Sequence, residues 1–272
     1  MSRALPPYLG GKRRLCGAIF GEIDRVLPRE HWRRLAFLDG FLGGGSVSLY
    51  AKAQGFGVIS TDIAARSIAI GQALIENGHV RITREELCRI LATPIAETTP
   101  NAIRFVPSVF TENVGAVLDK LFHAATLTPI QAKAALYRLL AIRIALLAHP
   151  MSQVRSGTAH RASTGEWEAI TPSCRKHYVD ALRLDSIDKL WHIAQKINAG
   201  VFDGRGRVIQ QSVLEALPEI SPDVAYFDPP YAGVMSYEKE YRVIDQMLEG
   251  TTRETSPFTA RDGASMIDAL LE

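Results

Sequence analysis

The chain has 272 residues, of which 47% are hydrophobic and 22% are charged, so it is predicted to fold and not to be intrinsically disordered. Its three widely spaced cysteines match neither a disulfide framework nor a zinc motif. The most apolar stretch, residues 134–148, is too short to span a bilayer and contains Arg138 and Arg143. The first residues lack the apolar core of a signal peptide, so we expect a cytoplasmic protein with no membrane partner.

The net charge of +2 conceals an uneven distribution of charged residues. Residues 133–210 contain twelve Lys or Arg and six Asp or Glu, and residues 1–34 contain eight bases and three acids. The rest of the chain is therefore acidic. Two basic segments suit a partner with a phosphate backbone, although solvated helix faces would give the same pattern.

Strands and helices are predicted to alternate at the two ends of the chain. Four short apolar runs predict strands, at residues 35–39, 57–62, 207–211 and 223–227. Helical patterns follow the first two runs, at 46–54 with Ser46 as the N-cap and at 64–76. This alternation predicts an α/β fold with a doubly wound parallel sheet.

Strand patterns are nearly absent between about residue 83 and residue 200. Helices are predicted there at 111–125, 129–148 and 172–198. We therefore expect three parts: residues 1–82 as the first part of an α/β core, residues 83–200 as a mostly helical insertion, and residues 201–272 as the second part of the core.

A glycine-rich loop follows the first strand. Asp39 ends this strand, and the loop continues with Phe41, Gly43, Gly44, Gly45 and Ser46. Glycines at this place let the backbone approach a ligand, and the following helix offers free N–H groups. The spacing is not that of a dinucleotide loop, and the lysine of a P-loop is missing. A tight turn without a ligand is the alternative.

Asp62 ends the second strand, where a carboxylate can accept both hydroxyls of a ribose. A helix N-cap is the alternative role for an aspartate at this position. Its pairing with the glycine-rich loop favours nucleoside binding.

The sharpest motif is Asp228-Pro229-Pro230-Tyr231, at the end of the last predicted strand. A carboxylate and a free backbone carbonyl can accept both hydrogens of an exocyclic amine and stabilise positive charge as it develops on the nitrogen. The ring of Tyr231 can stack on a flipped base. A simple turn is the alternative for an isolated Asp-Pro pair.

A fourth motif lies near the amino terminus, where Tyr8, Gly10, Gly11 and Lys12 precede a helix predicted to start near Arg13. By itself this motif is a weak signal for a carboxylate-binding site at a helix N-terminus.

Together these four stretches resemble the D12 class, or Dam-like, DNA adenine-N6 methyltransferases of the alpha motif order. The resemblance implies a Rossmann-like sheet that uses S-adenosylmethionine, with Tyr8, Gly10, Gly11 and Lys12 near its methionyl part. It further implies that residues 39–46 form the cofactor loop, that Asp62 is the ribose acid, that Asp228 contacts both cofactor and target, and that residues 228–231 form the catalytic tetrapeptide.

The resemblance also implies the reaction: site-specific methylation of adenine N6 in double-stranded DNA, as in restriction-modification, with the helical insertion assisting target recognition. Neither a covalent enzyme intermediate nor a metal is expected. An N6-adenine RNA methyltransferase and an inactive cofactor-binding or DNA-binding remnant remain alternatives, and a nicotinamide oxidoreductase is a more distant one. The recognition sequence, the biological role (restriction, phage or housekeeping) and the oligomeric state are not predicted.

Two departures from the family pattern affect these expectations. Gln210-Gln211-Ser212 stands where the family usually has an Asp that helps to hold the cofactor's adenine. Residues 256–272 resemble the helix after the catalytic loop, after which the family continues with three more strands. We therefore expect a shortened sheet whose strand at 223–227 lies at an edge, with marginal stability, self-association and weak activity.

Overall fold

The computed structural model describes residues 3–106, 109–148, 186–230 and 237–249. The strands in these ranges are β1 (Ala36–Asp39), β2 (Gly57–Thr61), β3 (Gly206–Ile209) and β4 (Val224–Tyr226). The α-helices are α1 (Cys16–Val26), α2 (Ser46–Gln54), α3 (Ala65–Gly71), α4 (Arg84–Ala92), α5 (Glu112–Leu127), α6 (Gln131–Ala148), α7 (Ile187–Asn198), α8 (Val213–Ala216) and α9 (Tyr237–Glu249). Short 3-10 helices occupy Arg29–Arg34, Ile95–Glu97, Ile103–Phe105 and Leu217–Glu219.

The chain divides into two compact units. The first consists of Met1–His79 together with Gly200–Glu272, and the second is Val80–Ala199. The two ends of the chain thus share one unit.

The first unit contains a four-stranded parallel sheet with the order β3-β2-β1-β4. Asp39 pairs in register with Ser60 on one side and with Tyr226 on the other, so the carboxyl ends of β1, β2 and β4 lie at the same edge. The predicted α/β class with a parallel sheet is therefore confirmed. Among the described strands, β4 pairs only with β1.

An aromatic cluster lies in the core at the amino ends of β1 and β2. Phe20, Trp32, Phe37 and Phe56 are fully buried, and their ring centroids lie 4.8–6.2 Å apart in the contacts between them. Trp32 Nε1 donates to the Leu27 carbonyl at 2.8 Å, so its one polar atom is satisfied. Large aromatic rings contribute much of the apolar area buried in such a core. The cluster ties α1, the segment Arg29–Arg34, β1 and β2 into one body.

Some predicted element ends differ from the structure. The prediction that Ser46 caps α2 was wrong, because Gly45 holds the N-cap position with a φ of 73° and Ser46 is the first helical residue. Only Gly tolerates this left-handed conformation without a steric cost. Helix α1 begins at Cys16 and not near Arg13, and α3 continues as a π-helical turn, Gln72–Glu76.

In the residues that the structure describes, the regular secondary structure of the second unit consists of helices. Its helices are α4, α5, α6 and α7, and α6 is buried around most of its circumference. Thr83 and Glu86 form a reciprocal capping box at the start of α4, which satisfies two free N–H groups. Residues 172–185 and 256–272, for which helices were also predicted, lie outside the described residues. In the described part of the chain, no helix has the length and apolarity required to cross a membrane.

Candidate active site at the carboxyl edge of the sheet

A cleft in the first unit opens at the edge where the parallel strands end. Its lining includes thirteen of the residues singled out from the sequence: Tyr8, Gly10, Gly11, Lys12, Asp39, Phe41, Gly43, Gly44, Ser46, Asp62, Asp228, Pro229 and Pro230. Gly45 lies within the same loop but does not line the cleft, and Tyr231 is outside the described residues. Four motifs that are far apart in the sequence therefore meet at one place.

Backbone hydrogen bonds across the strand ends hold the loops of the cleft together. Gly40 N–H donates to the Tyr226 carbonyl at 3.0 Å, and Leu42 N–H donates to the Thr61 carbonyl at 3.0 Å. The Thr61 hydroxyl donates to the Gly40 carbonyl at 2.8 Å. These bonds continue the pairing of β1 with β4 and β2 beyond the strands, so the loops that follow are fixed relative to one another.

The glycine-rich loop packs directly against Tyr8. A Cβ atom on Gly44 would lie 2.6 Å from Tyr8 Cβ, a separation that real contacts do not allow. Gly43 has a φ of 48°, in the left-handed region, and its Cβ would lie 3.2 Å from the Tyr8 ring. Gly44 is therefore required by the close approach of the amino-terminal segment, and Gly43 by its backbone conformation as well.

Asp62 connects the glycine-rich loop to the start of α3. One carboxylate oxygen accepts from Gly43 N–H at 2.8 Å, and the other accepts from Ala64 N–H at 2.8 Å. The N-cap of α3 is Ala64, so Asp62 does not fill the cap position itself. A carboxylate has about four lone-pair sites, so this half-buried group can still accept further hydrogen bonds from a ligand.

Asp39 is the most deeply buried carboxyl group of the cleft, with 1% of its surface exposed. Its oxygens accept from the Ser48 hydroxyl at 2.6 Å and from Phe41 N–H at 3.3 Å. Burial raises the pKa of Asp39 to about 6, although these two hydrogen bonds favour the ionised form. The negative charges of Asp62 and Asp228 raise this pKa further.

Asp228 forms an ion pair with Lys12 across the mouth of the cleft. Lys12 Nζ lies 2.6 Å from Asp228 Oδ2 and also donates to the Gly10 carbonyl at 3.0 Å. Asp228 comes two residues after β4, and its side chain is 23% exposed. The amino-terminal motif and the catalytic tetrapeptide of the prediction thus touch through these two charges. The motifs predict one shared region for both segments but not this contact.

A second group of side chains borders the cleft, and sequence reasoning missed it. Arg66 on α3 forms a buried ion pair with Asp245 on α9, and its guanidinium lies 4.4 Å from the centroid of the Tyr241 ring. Tyr241 stacks on Tyr8 at 5.0 Å, and its hydroxyl accepts from Leu9 N–H at 3.0 Å. Burial raises the pKa of Asp245 to about 6, while Arg66 opposes this shift. The one sequence signal for this pair is a single arginine within the apolar pattern of residues 63–71.

Polar side chains also follow β3, where the family pattern would place an acid. Gln211 and Ser212 line the cleft. The Gln210 amide donates to Glu249 Oε1 at 3.1 Å. Within the described residues there is no group of three or more His, Cys, Asp or Glu side chains that could hold a metal ion.

One family model matches the part of the chain that carries most of this cleft. Residues 8–113 match the D12 class N6 adenine-specific DNA methyltransferase family. This match confirms the family resemblance found in the motifs, and it supports adenine N6 methylation of DNA by an enzyme of the D12 class. The matched range includes Tyr8, the glycine-rich loop and Asp62, and it ends before Asp228. No curated protein matches the chain.

Proposed function

We propose that this protein transfers a methyl group from S-adenosylmethionine to N6 of adenine in a specific sequence of double-stranded DNA. The observation that carries the proposal is the meeting of Asp62, the glycine-rich loop and Asp228-Pro229-Pro230 in one cleft. A nucleoside-binding acid and an amine-binding carboxylate are both needed for this reaction, and here they follow β2 and β4, the two parallel strands on either side of β1.

The residues of the cleft suit S-adenosylmethionine. Asp62 has acceptor capacity left for the two ribose hydroxyls. Gly43 and Gly44 let Tyr8 pack closely against the loop, so that all three residues line the cleft. Asp39 and Asp228 add to the negative character of the lining, which favours a cation. When bound, the cofactor supplies a methyl group attached to a positively charged sulfur. The sheet would then serve as the cofactor-binding layer of a Rossmann-like methyltransferase fold.

Asp228 is proposed to hold the target amine. The lone pair of an exocyclic amine is delocalised into the base, which makes the nitrogen a poor nucleophile. If Asp228 and the Pro229 carbonyl accept its two hydrogens, the nitrogen moves towards tetrahedral geometry and its developing positive charge is stabilised. A carboxylate can accept several hydrogen bonds, so Asp228 can bind the amine while it retains Lys12. Tyr231, the next residue after Pro230, is proposed to stack on the flipped base.

Methyl transfer to nucleic acid tests the proposal directly. The chain is incubated with S-adenosylmethionine carrying a labelled methyl group and with either genomic duplex DNA or structured RNA. The nucleic acid is then digested to nucleosides, and N6-methyladenosine in its deoxy and ribo forms is measured by mass spectrometry. Label in deoxyadenosine alone supports the proposal. Label in RNA alone favours the RNA alternative, and label in neither contradicts both.

Two substitutions separate the roles of the acids. Asp228→Ala is expected to abolish methyl transfer and to leave cofactor affinity within a few fold, because its role lies in the transition state. Asp62→Ala is expected to weaken cofactor binding by about 1–3 kcal/mol through unpaired ribose hydroxyls, and added cofactor should recover much of the rate. Calorimetric titration with S-adenosylmethionine and with NAD measures the cofactor affinity of both variants. Normal cofactor affinity in Asp62→Ala would reduce Asp62 to a structural role.

A further inference from the structure

Two adjacent exposed arginines follow the lysine that pairs with the proposed catalytic carboxylate. Arg13 and Arg14 directly follow Lys12, whose ammonium is 2.6 Å from Asp228. Both arginines are exposed, and they belong to the basic amino-terminal segment that the charge distribution singled out. Their position relative to Asp228 is therefore fixed by chain connectivity and by one ion pair.

The turn that carries these arginines is held in place at both ends. Leu15 N–H and Cys16 N–H donate to the Lys12 carbonyl at 2.8 and 3.0 Å, which closes the turn at the start of α1. The buried Cys16 thiol contacts the Ser46 carbonyl at 3.5 Å, at the first residue of α2. The turn is thus anchored to α2 on one side and, through Lys12, to Asp228 on the other.

The two arginines differ in their contacts within the chain. The guanidinium of Arg13 donates to the Pro6 carbonyl, which commits it to holding the amino-terminal segment. The guanidinium of Arg14 has no hydrogen-bond or ion-pair partner among the residues that the structure describes. Arg14 is therefore a cation that is available to a ligand, two residues along the chain from Lys12, which lines the cleft.

A flipped nucleotide brings its phosphates close to the carboxylate that holds its base. Consecutive Cα atoms are 3.8 Å apart, so the Cα of Arg14 lies within about 8 Å of that of Lys12. A target adenine whose amine reaches Asp228 remains joined to the phosphates on its two sides, and enzymes that flip bases rotate the nucleotide about this backbone. Resting on the proposed function, we infer that Arg14 binds a backbone phosphate of the target strand next to the flipped adenine.

The chain offers a matched control for this contact. Arg34 is also exposed, and it ends the 3-10 segment that precedes the amino end of β1. Asp228 follows the carboxyl end of β4, which is parallel to β1, so Arg34 lies at the opposite edge of the sheet from Asp228. Replacement of either arginine by Gln removes the same charge from the same unit.

The salt dependence of DNA binding measures phosphate contacts. Each contact contributes about 0.9 to the slope of log affinity against log salt concentration for duplex DNA. Binding of a short duplex that the wild-type chain methylates is followed by fluorescence anisotropy between about 50 and 200 mM salt. Arg14→Gln is expected to reduce the slope by about 1, while Arg34→Gln keeps the wild-type slope. Arg14→Lys, which keeps the charge, is expected to restore it.

An unchanged slope in Arg14→Gln, or an equal fall in Arg34→Gln, overturns the inference while the methyl transfer of the wild-type chain still stands. A wild-type chain that methylates no DNA overturns the proposed function itself. Calorimetric titration with S-adenosylmethionine accompanies both variants, and unchanged cofactor affinity shows that the cleft is intact. The two failures are thus read from different measurements.

Discussion

Replacement of Asp39 by Asn should change how the stability of the protein depends on pH. Asp39 is 1% exposed, and burial raises its pKa from 3.8 to about 6. Between these two values the unfolded chain has lost the proton and the folded chain still holds it. The free energy of unfolding therefore falls as the pH rises through this window. Above pH 6 the carboxylate is ionised in both states, and the folded protein bears the full free-energy cost of burying the charge.

The size of this effect follows from the shift in pKa. One pKa unit corresponds to 1.36 kcal/mol, so a shift from 3.8 to about 6 costs about 3 kcal/mol of stability at neutral pH. Asn at this position is neutral at every pH and removes the cost. Its amide can keep both contacts of Asp39, because the Ser48 hydroxyl can accept from the amide and donate to Ser60, whose hydroxyl lies 2.8 Å away.

Urea denaturation of both proteins at pH values from 4 to 8 measures the difference. Between pH 4 and pH 7 the free energy of unfolding of the wild-type chain is expected to fall by about 2 kcal/mol more than that of Asp39→Asn, because at pH 4 the unfolded chain has already lost most of this proton. The raised pKa of Asp245 affects both proteins alike and cancels in this comparison. Ser48→Ala removes a hydrogen bond that favours the carboxylate, so its transition should move to higher pH. Equal pH dependence in the wild type and Asp39→Asn would refute this account of the buried carboxyl.

Arg66→Met and Asp245→Leu should each lower the free energy of unfolding by about 3–5 kcal/mol, because each leaves an unpaired buried charge. The double variant should regain most of this loss, since Arg66 Nε and Asp245 Oδ1 lack partners in the described structure. Additive costs of the two substitutions in a double-mutant cycle would contradict the pairing. Gly44→Ala should cost about 1–3 kcal/mol and weaken cofactor binding, because its Cβ would lie 2.6 Å from Tyr8. The matched Gly17→Ala, with open space in α1, should instead gain about 0.5–1 kcal/mol, and equal effects in thermal melts would show that the Gly44 contact does not constrain the loop.

The sequence alone was enough to predict the strands and the acids that end them. Apolar runs that end in Asp39 and Asp62, each followed by a helical pattern, depend on short-range periodicity and turn residues. Those signals are local, so the four strands and helices α2, α3, α5 and α6 were predicted with small errors at their ends, while α4 and α9 were not predicted. The predicted N-cap of α2 was wrong because Gly45 and Ser46 are both acceptable N-cap residues, and the left-handed φ of Gly45 is visible only in the structure.

Contacts between distant segments were decided by the tertiary structure. The ion pair of Arg66 with Asp245 joins residues 179 positions apart, and neither residue type indicates its partner. Lys12 reaches Asp228 because β4 lies beside β1 in the sheet, an order that the strand patterns do not contain. Periodicity shows which side of an element is buried, but the order of the strands and the packing of the helices decide which side chains meet there.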